Sequence, residues 1–183
     1  MSKTNRTKRV FANALLELSN KKPLPDITIL DITNFCDISR TAFYYHFKDK
    51  QELIFWIYTD FRNTHIKLSD SSDVIILGCL KYMQKYPVFF KQAFSESGQN
   101  CFRDELGNSI YLDFEHVLTN VEMFSVLSAH EREMVARLYA HATVGIIEML
   151  LDAPPSNLER AVGLLTAVLY NGSHALKNMA REI

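Results

Sequence analysis

Thr28–Phe47, TILDITNFCDISRTAFYYHF, reads as two short helices joined by a tight turn. Thr28 is followed three positions later by Asp31, a capping-box-like arrangement that predicts a short helix through Phe35. Ser39 is a good N-cap and predicts a second helix. Only Cys36 and Asp37 lie near the turn between them, and Asp accepts a left-handed backbone conformation. Ile29, Ile32, Ile38, Phe43 and Phe47 form the core that the pair would share. Arg40, Thr41 and Tyr45 then point away from that core near the start of the second helix.

Working outward, Val10, Phe11, Ala14, Leu15 and Leu18 recur at helical spacing and predict a helix over about 6–20, closed by the prolines at 23 and 25. Asp49, with Glu52 three positions on, caps a long helix to about 67 that carries Leu53, Ile54, Ile57, Phe61 and His65 on one face. A fifth helix runs to about Tyr86, where Pro87 stops it, and a short apolar piece covers 88–94. A further helix covers 102–124, and Ser128 with Glu131 opens another to about Leu151. Beyond Pro154 and Pro155, Ser156 with Glu159 opens a last helix to about Ala180. Two-residue alternation, hairpin signals and repeats are absent from the sequence. The expected fold is all-α with about nine helices: a helix-turn-helix head over 1–50 and a helical body over 51–183.

Charge divides the same way. Residues 1–50 carry nine Lys and Arg against five acids, whereas 51–183 carry eleven against sixteen. A basic end on an acidic body points to a polyanionic partner for that end alone. Three scattered cysteines with no CxxC or Cys/His ligand spacing predict reduced thiols and no metal site. The basic N-terminus lacks an apolar signal region, and the longest stretch without Asp, Glu, Lys or Arg, Ala161–Leu176, is short for a membrane span. A soluble cytoplasmic protein is expected. No GxSxG, HExxH, P-loop or GxGxxG occurs, so neither catalytic residues nor a cofactor are assigned.

Two helices on a short turn are the geometry that seats a second helix in a DNA major groove. Here the residues also resemble a specific family. Ile27-Thr28-Ile29-x-Asp31-Ile32, then Ile38-Ser39-Arg40-x-x-Phe43-Tyr44-x-His46-Phe47-x-x-Lys50-x-x-Leu53, with Ala14 and Leu15 before them, are similar to the TetR family of bacterial transcriptional regulators. Cys36-Asp37 stand where that family usually has a small residue and a glycine. The position of Thr41 is often glycine there, and that of His46 often aromatic.

The expected contacts with double-stranded DNA follow. Arg40, Thr41 and Tyr45 are candidates for base edges, since Arg can bind guanine with two donors and Thr can meet a thymine methyl. Thr28 and Ser39, at helix starts, favour phosphate. Tyr44, His46, Lys48 and Lys50 are also expected on phosphates, with the basic arm (Lys3, Arg6, Lys8, Arg9) adding to them.

The resemblance implies an effector pocket and a dimer interface in the body. An aromatic-rich middle segment supplies Tyr58, Phe61, His65, Tyr82, Tyr86, Phe90 and Phe114 as expected pocket residues. The last helix has two apolar stripes, Leu158-Val162-Leu165-Leu169 and Ala161-Leu164-Val168-Ala175, so it needs two partners. Gly145, Met149, Leu165, Val168, Leu169 and Gly172 are the expected interface of a homodimer on a palindromic operator. Tyr139-x-His141-Ala142-x-Val144-Gly145-Ile146-Ile147 resembles a subgroup that includes a dihydroxyacetone-kinase regulator, in which a protein can be the effector. Repression controlled by an effector is therefore the expected function, with a DNA-binding adaptor or activator controlled by a protein partner as the alternative.

Overall fold

A computed structural model describes residues 3–67, 72–120, 124–154 and 157–168. Its order is α1 (Lys3–Ser19), a 3-10 turn (Leu24–Asp26), α2 (Ile29–Phe35), α3 (Arg40–His46), α4 (Lys50–His65), α5 (Ser72–Lys85), α6 (Pro87–Ser95), α7 (Phe102–Asn120) and α8 (Ala129–Leu150). Residues 157–168 are helical as well, and no strand occurs among the described residues. The fold is all-α, as expected. The expected cap at Ser156, residues 121–123 of the expected helix and the course of the last helix beyond 168 lie outside the described residues; Phe124, expected to end that helix, sits in a 3-10 turn.

The local signals act as their chemistry predicts. Thr28 and Asp31 form a complete capping box, as do Ser128 and Glu131. The Ser39 hydroxyl accepts from the Ala42 N–H, and the Asp49 carboxylate from that of Glu52. Pro87 occupies the first turn of α6, where its missing N–H costs nothing. Asp37 takes φ 51, the left-handed conformation that ends α2 and turns the chain into α3.

Two compact units emerge. The first comprises Met1–Ser69 with Lys81–Asp104. In it α1 packs against α2, α3 and α4, and α6 packs against α1 and the 3-10 turn. Phe11, Leu15, Leu24, Ile32, Phe43, Phe47, Leu53 and Ile54 are fully buried. The Phe11 ring meets Phe43 edge-on at 5.3 Å and Phe47 at 6.4 Å. Ile29 and Ile38 are only half-buried, at the rim of this core.

The second unit comprises Asp70–Leu80 with Glu105–Ile183. Leu118, Phe124 and Ala136 form a buried cluster there, covered by Tyr111, Phe114, Leu127 and Val135. Ala140, Thr143, Val144, Ile147 and Leu150 line the buried face of α8. The stripe Leu158-Val162-Leu165 is buried, while Leu164 and Val168 are exposed. Leu165, expected at a dimer interface, is 7% exposed in the single chain and is part of its core. Leu169 and Gly172 lie outside the described residues.

Candidate nucleic-acid interface

Helix α3 separates two kinds of side chain. Phe43 and, just after the helix, Phe47 point inward. Arg40, Thr41 and Tyr44 are exposed, and Tyr45 is 81% exposed, the most exposed large apolar-bodied side chain of the described chain. A seven-residue helix cannot hold itself in water, so the buried phenylalanines fix the direction of the outward row. The outward residues are therefore positioned without being packed, as a surface that meets base edges requires.

Neighbouring residues are arranged less uniformly. Lys48 is exposed, and its backbone N–H donates to Glu52 Oε2 at 2.6 Å. His46 is half-buried, its ring tilted against Phe11 and edge-on to Tyr45. His46 Nδ1 is buried without a hydrogen-bond partner, so the ring has only its other nitrogen to offer a phosphate. The Thr28 hydroxyl donates to Asp31 Oδ2 at 2.6 Å and accepts from the Asp31 N–H at 3.1 Å. Lys22 Nζ lies 2.7 Å from the same carboxylate. Hydrogen bonds from Lys22 and then Thr28 hold the Asp31 carboxyl well below the usual carboxylate range. The start of α2 thus carries an anion of its own, neutralised by Lys22.

Lys50, expected on phosphate, makes its contacts within the first unit. Its Nζ donates to Leu24 O at 2.6 Å, approaches Pro25 O at 3.5 Å, and lies 3.5 Å from Glu96 Oε1. The side chain is 17% exposed and that of Glu96 9%. Gln51 Nε2 donates to the other Glu96 oxygen, and the Leu24 N–H donates to Gln92 Oε1. Gln92, Glu96 and Gln51 were not legible as functional residues, because no local spacing links them to the head.

Two residues of the basic arm are likewise engaged. Arg9 pairs with Asp60 through Nε at 2.9 Å and Nη2 at 3.3 Å. Lys8 Nζ sits 4.9 Å above the Phe47 ring and 5.7 Å above that of Trp56. Both side chains fasten α1 to α4, leaving Arg6 as an exposed cation of the arm.

The expected pocket residues divide between the units. Phe61 stacks on Tyr82 at 3.9 Å and on His65 at 4.6 Å. Tyr82 meets Tyr86 and Phe90 edge-on. Tyr58 and Phe90 are buried. Burial and the negative charges of Tyr86 and Asp60 push the Tyr82 phenol well above its ordinary range. Phe61, His65, Tyr82, Tyr86 and Phe90 pack on one another in the first unit, and Tyr58 joins them through Phe102, which it shares with Phe90. Phe114 belongs to the second, where it stacks on Tyr139 at 5.2 Å. The seven do not form one cluster within either unit.

On α8, Met134, Leu138, Ala142, Gly145 and Met149 fall four, four, three and four positions apart and are all exposed, Met149 by 67%. Over residues 157–168, Gly163, Leu164, Ala167 and Val168 are exposed, Val168 by 68%. A Cβ at Gly145 or at Gly163 would meet nothing within 4 Å.

Comparisons with known proteins agree with the resemblance in the head. A family described as "Transcriptional regulator C-terminal region" (TetR_C_8) matches residues 70–153. That segment does not overlap the resemblance between Ala14 and Leu53, so two separate stretches point the same way. The HTH-type dhaKLM operon transcriptional activator DhaS of Lactococcus lactis subsp. lactis (strain IL1403) is 29% identical over 100 residues, 51% of this chain and 52% of that protein. The match thus spans about half the length of that curated relative.

Among solved structures, a dihydroxyacetone kinase operon activator DhaS superposes with TM-score 0.58 at 19% identity, covering 92% of this chain and 97% of that one. A TetR-family transcriptional regulator from Streptomyces coelicolor gives 0.57 at 17%, covering 100% and 90%. A transcriptional regulator from Rhodococcus sp. Rha1 gives 0.55 at 13%, covering 90% and 96%. At these identities the superpositions speak for the fold, while the matches in sequence carry the likeness in function. The chain is similar to TetR-family transcriptional regulators, its residues 70–153 to their C-terminal region.

Proposed function

We propose that this protein is a sequence-specific DNA-binding transcription regulator, acting in the cytoplasm as a homodimer on a palindromic operator. The observation that carries the reading is the exposed row Arg40-Thr41-Tyr44-Tyr45 on a helix whose other side is locked by Phe43 and, just past its end, Phe47. Arg40, Thr41 and Tyr45 meet base edges. Ser39, Tyr44 and Lys48 hold phosphates, with Thr28 and His46 as lesser contributors because their polar atoms are partly engaged or buried. Two such helices, one from each subunit, enter successive major grooves about one DNA turn apart.

The dimer uses the exposed apolar stripes of α8 and of 157–168. Each stripe contains a glycine with open space at its Cβ, which permits close helix crossing. An effector acting on the chain beyond residue 50 shifts DNA affinity by its difference in binding free energy between two states. Repression is the default output, since a protein seated on an operator excludes polymerase. The curated relative's printed role, an operon transcriptional activator, favours activation through a protein partner as the second reading. The self-packed aromatics of the first unit agree with it, because they leave less to be said for a small-molecule cavity there.

The test is a gel shift with folded protein and DNA fragments flanking its own gene, with Tyr45→Ala and Arg40→Ala beside wild type. A retarded fragment that both variants fail to retard supports the assignment. Wild-type protein that leaves every fragment free at low salt refutes it. Transcription from the retarded fragment, with and without the protein, separates repression from activation.

A further inference from the structure

We infer that Glu96 withholds Lys50 from DNA, so that helix α6 carries a clasp which sets how strongly the head grips phosphate. The inference rests on the DNA-binding reading above and adds a regulatory contact to it.

Lys50 opens α4, four residues after the end of α3. A lysine there, beside the recognition helix, is placed to meet the DNA backbone. Its ammonium is instead turned inward, between Leu24 O and Glu96 Oε1. Glu96 caps the C-terminus of α6, an unfavourable place for an anion next to its own helix's dipole. What holds the carboxylate there is the first turn of α4, where Lys50 pairs with it and Gln51 donates to it. Gln51 gives its N–H to Glu96 while its own Oε1 stays buried without a partner.

The same helix grips the head a second time. Gln92 accepts the N–H of Leu24, the residue whose carbonyl Lys50 holds. One residue of the α1–α2 connection, Leu24, is therefore tied to α6 through both its N–H and its C=O, by Gln92 directly and by Glu96 through Lys50. A shift of α6 would loosen both ties together. With Glu96 withdrawn, Lys50 keeps only neutral carbonyl acceptors, and a phosphate outcompetes those. Closed, the clasp leaves Lys50 no phosphate contact; open, it supplies one.

The experiment uses the full chain and a short mixed-sequence DNA duplex, whose binding reports phosphate contacts without needing the operator. Affinity is measured against salt for wild type, Glu96→Gln, Lys50→Met and the double variant, with thermal melts to confirm folding. Glu96→Gln should bind more tightly, with a salt slope steeper by about 0.9 per copy bound, or about 3.5-fold more affinity lost over a fourfold rise in salt. In the Lys50→Met background the Glu96→Gln change should do nothing. An unchanged slope in Glu96→Gln, or a gain that persists without Lys50, overturns the clasp while leaving the DNA-binding reading intact. Failure of every variant to bind the duplex removes that reading, and this inference with it. A second readout needs no DNA. Under brief acetylation followed by mass spectrometry, Lys50 should react more slowly than exposed Lys48 in wild type and faster in Glu96→Gln. Equal rates for the two lysines in wild type would also overturn the clasp.

Discussion

Replacing Asp37 tests the turn that sets α3 on α2. Asp37 has φ 51, and apart from Asn100 it is the only described non-glycine residue with positive φ. Its N–H donates to Asn34 O at 3.4 Å, and the following Ile38 N–H donates to Thr33 O at 3.0 Å. The turn is thus held by backbone hydrogen bonds that any residue can make, and only the Cβ is at odds with it. A left-handed conformation costs an L-residue about 1–2 kcal/mol, with Asp toward the lower end. Glycine removes that cost but loses about 0.5–1 kcal/mol to the greater freedom of its unfolded chain. Asp37→Gly should therefore be neutral to about 0.5 kcal/mol stabilising, and Asp37→Ala about 1 kcal/mol destabilising. The protein's single tryptophan makes the assay simple. Trp56 lies 5.9 Å from the Phe47 ring, edge to face, so its emission in a urea titration follows the seating of the head on α4. An alanine variant as stable as the glycine variant would refute the reasoning, because it would mean that the Cβ meets no strain at φ 51.

Three further outcomes can be measured. Arg40→Ala should relax preference at one operator position by about 1–3 kcal/mol, read by competition between single-base operator variants; a uniform loss across all variants would move Arg40 from base to phosphate. The pair Leu138→Glu with Met149→Glu should convert a dimer to a folded monomer in light scattering at micromolar concentration, and an unchanged mass would remove α8 from the interface. Acid should weaken the head through Asp31, whose folded pKa lies below its unfolded value of about 3.9. Its contribution is fully present above that unfolded value and lost as pH falls toward the folded one; an Asp31→Asn head with the same acid profile as wild type would exclude this cause.

Much of the head was legible because its signals are local. Thr28 with Asp31, Ser39, Asp49 with Glu52, and Ser128 with Glu131 each satisfy helix-end N–H groups within three residues, and each forms as read. Phe43 and Phe47, four apart, had to share a face, and their burial decided that Arg40, Thr41 and Tyr45 point out. The stripes of the last helix show where such reasoning stops. Both are apolar, and periodicity separates them without saying which one the chain keeps for itself. Leu165 shares its stripe with Leu158 and Val162 and is buried with them, whereas Leu164 and Val168 remain outside. Phe114 shows a related limit: an aromatic residue's partner is fixed by tertiary packing, and for Phe114 a stacking partner is Tyr139 in the second unit.

Lys50 marks the deeper limit. Its position beside α3 and its agreement with the family pattern both point to phosphate, and each is a statement about sequence neighbours. Its actual acceptors are a carbonyl 26 residues before it and a carboxylate on α6. Nothing within a helix turn of Lys50 encodes either contact. An ammonium has three donors and a flexible stem, so it goes to whichever anion or carbonyl the fold brings nearest. Arg9 behaves the same way, reaching Asp60 on α4 in preference to solvent. Positive charge counted along the head therefore overstates the charge available to DNA. Lys8, Arg9, Lys22 and Lys50 are each engaged within the first unit, while Arg6, Lys21, Arg40 and Lys48 remain exposed, Lys21 over the Phe35 ring. On the proposed dimeric reading, a head with half of these cations engaged depends more on base contacts at α3 and on its second copy. It also gains most, in proportion, from any device that returns one lysine to the DNA.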